Sequence, residues 1–313
     1  MGMIGADTLS PPWGRIRTAS GFFAQDRRFF DAYTIPLYMS ALLGCLLIAG
    51  SVAVGRFSLD TAWYSGLGTS FLIFLAISWA MRWAGFPRLA GGVEAILLLM
   101  LSMLILATCN TILAAVGLPV RDEALRRFAD MVPGYHRQAI VDFVLASPVL
   151  SKASGWIYES FAFTPQLLLL WLFVTRRQEE AWTFVTAMIV GLWITALLFM
   201  LVPAYGNPPF PFDVGQLTGA RDGSLRILNI SVMTGLIVFP SYHAAGATML
   251  AWGYRRVGRW GLPLVILNVL MIGSALVWGG HYLADLIAGV LVALASIRIS
   301  RIMVQRSADI SAA

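Results

Sequence analysis

Glu94–Gly117 reads EAILLLMLSMLILATCNTILAAVG. A single ionisable residue opens it, and none follows. An unpaired backbone N–H or C=O costs several kcal/mol in hydrocarbon, so a run this apolar crosses a bilayer as a helix. A spanning helix needs about 20 mostly apolar residues, and this run, inside the candidate span 92–116, meets that length. Working outward, seven more candidates lie at 35–55, 62–82, 155–175, 181–203, 238–256, 260–278 and 281–299. The predicted fold class is therefore all-α, a polytopic membrane bundle of about eight helices. No linker or repeat divides it. We read one membrane domain, 35–299, between an N-terminal tail, 1–34, and a C-terminal tail, 300–313.

Composition agrees. Hydrophobic residues make up 58% of the 313 positions and charged residues 12%, against roughly 25% charged in soluble domains. Mean hydropathy is +0.77. A soluble globule, a disordered chain and a disulfide-stapled secreted fold are all excluded. The net charge of +6 rests on arginines that flank apolar runs, with Lys152 the sole lysine. No Arg-rich run suits a nucleic acid. Cys45 and Cys109 both fall in apolar runs, which argues against a structural disulfide. Arg15, Arg17, Arg27 and Arg28 precede the first apolar run at Ile35, which is too late and too long for a signal peptide. It reads as an uncleaved span.

Two segments interrupt the spans. Residues 117–154 contain RDEALRRFADMVPGYHRQAIVDFVLASPVL, with Leu125, Phe128, Ala129 and Val132 at helical spacing. This predicts an amphipathic interfacial helix followed by a loop. Residues 203–237 contain PAYGNPPFPFDVGQ, whose prolines and glycines predict no regular helix. With the N-terminus inside, 14 of the 22 basic residues lie on that side, and Arg56 alone is outside among short loops. The positive-inside rule then puts both termini in the cytoplasm of an inner (plasma) membrane protein. The starts of the sixth and eighth spans face the extracytoplasmic side.

Those two starts carry the chemistry. Of three histidines, His243 lies in FPSYHAAGATML and His281 in WGGHYLADLIAG. His281 and Asp285 stand four apart, on one helix face. A carboxylate there can fix the imidazole tautomer and leave the other nitrogen as a nucleophile. The alternative is a His–Asp pair that only packs helices. In PSYH, Ser241 is a plausible N-cap whose helix N-terminus favours a phosphate. His243, in the first turn, can protonate a leaving oxygen. Together the segments form a kit for phosphoryl transfer through a phosphohistidine. His281 attacks phosphorus, Asp285 orients it, and His243 protonates the leaving alcohol and then activates the acceptor.

The two segments resemble the second and third signatures of the phosphatidic acid phosphatase type 2 superfamily, PSGH and SR-x5-H-x3-D. The HYxxD form, with Tyr282 after the histidine, is closer to the branch of inositol phosphorylceramide synthase and sphingomyelin synthase. The resemblance implies a six-helix phosphatase-like core, roughly 92–299, plus two N-terminal spans. It also implies a membrane lipid donor and an alcohol acceptor such as inositol or diacylglycerol, with no metal or other cofactor. The superfamily's first signature, K-x6-RP, is absent, and Ala275 stands where its second arginine is expected. Arg221 and Arg226, in GARDGSLR, can replace that phosphate clamp, or they are solvated loop arginines.

Other residues read more plainly. His136, beside Arg137, is a headgroup-level residue, and Glu94 snorkels from a span end. Tyr158 and Glu159 line a headgroup pocket or anchor a span at the interface, and Asp213 and Asp222 are loop residues. A plain lipid phosphatase, acting on phosphatidate, phosphatidylglycerol phosphate or a polyprenyl diphosphate, stays open beside the transferase. A transporter or a non-catalytic lipid binder is the rival from another class. The oligomeric state is not written in these motifs.

Overall fold

The computed structural model describes residues 33–207, 214–229 and 236–312. The four N-terminal arginines and residues 208–213 of the proline-rich run, Asp213 among them, lie outside the described residues. Three long helices come first: α1 (Ile35–Ala53), α2 (Thr61–Trp83) and α3 (Pro87–Ala114). Asp60 caps α2 by accepting from Trp63 N, and prolines open α1 and α3, where the missing N–H costs nothing.

Next come α4 (Asp122–Asp130), α5 (Arg137–Ala146), α6 (Pro148–Glu159) and α7 (Thr164–Val174). The interfacial segment is thus more helical than the predicted helix-plus-loop. The Ser147–Pro148 step lets a second helix start at once, since Ser147 Oγ accepts from Leu150 N. On α4, Leu125 and Ala129 are buried while Phe128 stays exposed. The predicted span 155–175 is not one helix. It breaks at a 3-10 turn, Ser160–Ala162, just before Thr164–Pro165, because Pro165 has no N–H to continue the ladder and its ring would crowd the carbonyl one turn back.

The central helix is α8 (Gln178–Leu201). A short α9 (Val214–Asp222) follows, inside the segment predicted to hold no regular helix. Strands β1 (Ser58–Leu59) and β2 (Ile227–Leu228) pair in parallel. Helices α10 (Tyr242–Tyr254) and α11 (Leu262–Trp278) pack along each other, joined by a turn in which Gly258 takes φ 80°. The last helix is α12 (Leu283–Ala312).

Among the described residues, six helical stretches are long and apolar enough to cross a membrane, or seven with the bent pair α5–α6. One of the six spans the α10–α11 hairpin. The protein is an all-α polytopic membrane protein. Its core gathers Leu98 and Leu99 of α3, Leu168 and Phe173 of α7, Phe184 and Met188 of α8, Met249 of α10 and Ala293 of α12. Both cysteines are free, with Cys109 buried against Gly44 and Cys45 exposed.

Glu94 does not snorkel. It is fully buried, ion-paired with Arg82 of α2, and accepts from Tyr38 Oη of α1 at 2.9 Å. A buried carboxylate needs partners at that depth, and two neighbouring helices supply them.

Candidate active site

The start of α10, the end of α11 and the start of α12 meet at one end of the bundle. Two hydrogen bonds tie them together. Ser241 N donates to Asp285 O at 3.0 Å, and His281 Nδ1 lies 3.0 Å from Val238 O. The helices can approach because Gly289 of α12 faces Ser241 and Ala244, where a Cβ would lie 3.0 Å from that of Ala244. The structure thus unites the PSYH and HYLAD segments.

A carbonyl only accepts, so the Nδ1 of His281 carries the proton and Nε2 keeps its lone pair. Asp285 Oδ2 stands 3.5 Å from the same Nδ1 and takes Tyr282 N at 2.7 Å. Val238, not Asp285, is the nearer partner of the ring. Both side chains are buried, at 1% and 0% exposed. The imidazole lies over Gly279, where an added Cβ would stand 2.5 Å from Cδ2 and 2.9 Å from Nε2. Only glycine leaves that space beside Nε2.

His243 is in the first turn of α10. Its Nδ1 is 3.2 Å from Tyr158 Oη, and the two rings stack at 4.2 Å. Phe161 contacts the same imidazole at 5.0 Å. His243, Tyr158, Glu159, Trp156 and Phe163 line a largely apolar cleft of about 580 Å³. Ser241 caps α10 by accepting from Ala244 N at 3.2 Å, and its side chain is fully buried.

Arg221 and Arg226 turn elsewhere. Arg221 donates to Leu118 O, and Arg226 Nε donates to Gly223 O at 3.1 Å. Another arginine borders the histidine segment. Arg137, 9% exposed, donates through Nη2 to Leu276 O at 2.9 Å and to Asn207 O at 3.4 Å. Asn207 N in turn donates to Gly280 O at 2.8 Å. Arg137 lines a polar cleft of about 290 Å³ with Arg126, His136, Asn207 and Tyr282. His136 thus lines a cleft beside Tyr282, the residue that follows His281.

Tyr282 is held from the far side. Its Oη donates to Asp122 Oδ1 at 3.1 Å, and Asp122 also accepts from Tyr205 N and Gly206 N, each at 3.0 Å. Burial, then the Asp122 carboxylate, raises the Tyr282 phenol above its ordinary pKa, so it remains a donor. Arg137 and Asp122 were not singled out from sequence. Their segment shows a helical period and a charge run, and neither betrays which arginine turns inward.

A family model described as the PAP2 superfamily matches residues 123–299, more than half of the chain. The chain belongs to the PAP2 superfamily. Comparison with curated proteins and with solved structures gave no match. The PAP2 match begins within α4 and ends within α12, so it includes Arg137, His243, His281 and Asp285 and leaves out α1–α3. PAP2 membership and the apolar helices support phosphatase-type chemistry on a membrane lipid. Among the described residues, no group of three His, Cys, Asp or Glu side chains has the spacing of a metal site.

Proposed function

We propose that the protein transfers a phosphoryl or phospho-alcohol group from a membrane lipid through a phosphohistidine on His281. The observation that carries this is the convergence of PSYH with HYLAD through Ser241–Asp285 and Val238–His281. His281 Nε2 attacks phosphorus and forms the N–P bond as the P–O bond to the lipid alcohol breaks. His243 gives its proton to that leaving oxygen. His243 then takes the proton of an incoming hydroxyl. The new P–O bond forms, the N–P bond breaks, and His281 is restored. Asp285 stabilises the imidazolium character that develops on His281, acting beside the Val238 carbonyl.

The phosphate clamp we assign to Arg137 rather than to Arg221 or Arg226. A guanidinium held by backbone carbonyls presents its fork in a set geometry. It also neutralises the charge that grows on the phosphoryl oxygens. The PSYH helix N-terminus, capped by Ser241, adds its dipole. The aromatic cleft beside His243 suits the apolar leaving alcohol, and the polar cleft beside Tyr282 suits the headgroup or a hydrophilic acceptor.

The finer reading follows the HYxxD resemblance to the branch of inositol phosphorylceramide synthase: an alcohol such as inositol or diacylglycerol accepts the group. The catalytic unit is the core, roughly 92–299, with α1 and α2 as additions. The histidine end faces the extracytoplasmic side and both termini are cytoplasmic, on the charge count. The test uses purified protein in detergent, radiolabelled lipid phosphates with and without inositol or diacylglycerol, and a His281→Ala control. We expect a new labelled product that requires the acceptor, a lipid with diacylglycerol or a water-soluble phosphate ester with inositol. Free phosphate as the sole product makes the protein a phosphatase instead, and turnover that survives His281→Ala removes the phosphohistidine.

A further inference from the structure

The opposite end of the α10–α12 pair holds a second cleft. His243 and His281 lie where these helices begin. Arg298 and Arg301 lie 15 to 18 residues after Leu283 on α12, so at 1.5 Å per residue they are about 25 Å from the histidine end. Thr248, Trp252, Arg255, Leu294, Arg298 and Arg301 line a cleft of about 600 Å³ there, between α10, α11 and α12.

Its charge is one-sided. Three arginines line the cleft, and among the described residues no Asp or Glu does. The charges acting on Arg301 are those of Arg256 and Arg255, both of like sign. The nearby carboxylate, Glu180, is already engaged by Arg177 at 2.7 Å and by Arg256 at 3.1 Å. Like charges gathered in a partly apolar cleft repel, and a bound anion relieves that cost. Trp252 adds an independent sign. Arg256 and Arg301 lie over its ring at 4.9 and 5.3 Å. Its indole N–H is buried and has no acceptor among the described residues. A buried indole N–H ordinarily finds one.

The walls choose the kind of anion. Leu294, Ile297, Ile302 and Val265 are apolar and continue down the helices into the membrane-spanning region. Inorganic phosphate gains nothing from such walls. We infer that this cleft binds an anionic phospholipid, its phosphate among Arg255, Arg298 and Arg301 and its acyl chains along α11 and α12. The ligand class is a glycerophospholipid with net negative charge, held in the leaflet away from the histidines. Basic pockets between spanning helices recognise such headgroups.

The test is native mass spectrometry of the full chain, titrated with phosphatidylglycerol, phosphatidylcholine or inorganic phosphate. We expect retention of phosphatidylglycerol over phosphatidylcholine, and none of inorganic phosphate. Arg298→Gln with Arg301→Gln should weaken phosphatidylglycerol binding roughly tenfold or more, at the usual contribution per arginine near an anionic lipid. Arg306→Gln, on the same helix but outside the cleft, should not. Leu294→Trp fills the cleft without altering charge and should also displace the lipid. Equal retention of the two lipids by the wild type overturns the proposal. So does unchanged phosphatidylglycerol binding in both the double variant and Leu294→Trp.

Discussion

The two ends of the chain are built by different rules. From α4 onward, helices interlock. Central α8 buries side chains on every face, from Ala181 to Phe199, and the candidate site residues Ser241 and His281 are pinned to backbone carbonyls. The N-terminal pair is attached more loosely. Helix α2 buries only Ser78, and α1 and α2 both lean on α3 around an open apolar cleft of about 680 Å³. Leu37, Ala41 and Ile48 of α1 pack into the core against α3, and polar contacts add to that packing. The Arg82–Glu94–Tyr38 cluster, the Tyr64–Thr108 hydrogen bond at 2.8 Å and the β1–β2 pairing are the fasteners. The PAP2 match stops short of this pair. Chemistry and attachment should therefore respond to different substitutions.

The largest effect should come from the histidines. His281→Ala should abolish turnover and, by leaving the buried Val238 carbonyl without its donor, cost about 1–3 kcal/mol of stability. His243→Ala should cost on the order of 10² to 10⁴ in turnover, and both variants should still fold in detergent. A loss of folding in both would mean that the pair packs helices instead. Arg137→Gln should follow, with kcat down about 10² to 10³, the usual cost of removing one donor to a developing oxyanion. Arg137→Lys should recover little of it, because an ammonium cannot keep both carbonyl bonds and the fork. Arg221→Gln with Arg226→Gln should leave kcat unchanged. The reverse result would move the clamp to the loop.

Gly279→Ala sharpens the contrast within the site. A methyl 2.9 Å from Nε2 must push the imidazole aside, and a shift of about 1 Å can cost about 10² in rate. Thermal stability should fall far less than activity. Glu94→Gln probes the other region. It leaves Arg82 buried without a carboxylate, which should cost about 3 kcal/mol of stability. Turnover per folded molecule should hold. A fall in kcat there would couple the N-terminal pair to the histidines.

The bundle was legible in the sequence because hydrocarbon imposes length and apolarity on every span. So was the pairing of His243 with His281, since a hairpin of two helices must return to its starting side. Breaks in helices were harder to read. The predicted span 155–175 fails at Thr164–Pro165, and the apolar composition on both sides hides the turn. Glu94 misled because one sequence does not say that Arg82 and Tyr38 reach it. Arg137 was masked for the same reason: its partners are backbone carbonyls of Leu276 and Asn207, and carbonyls leave no trace in side-chain patterns. The Val238 carbonyl under His281 belongs to that class as well.

The central claim is the covalent step on His281. The direct measurement is to quench wild-type protein during turnover of a lipid labelled in its phosphate and to map the labelled residue. We expect an acid-labile, base-stable label on His281 of the wild type, and slower labelling of His281 in His243→Ala, which lacks the proton donor to the leaving oxygen. Label on a different residue, or full turnover with no covalent label in either protein, would contradict it.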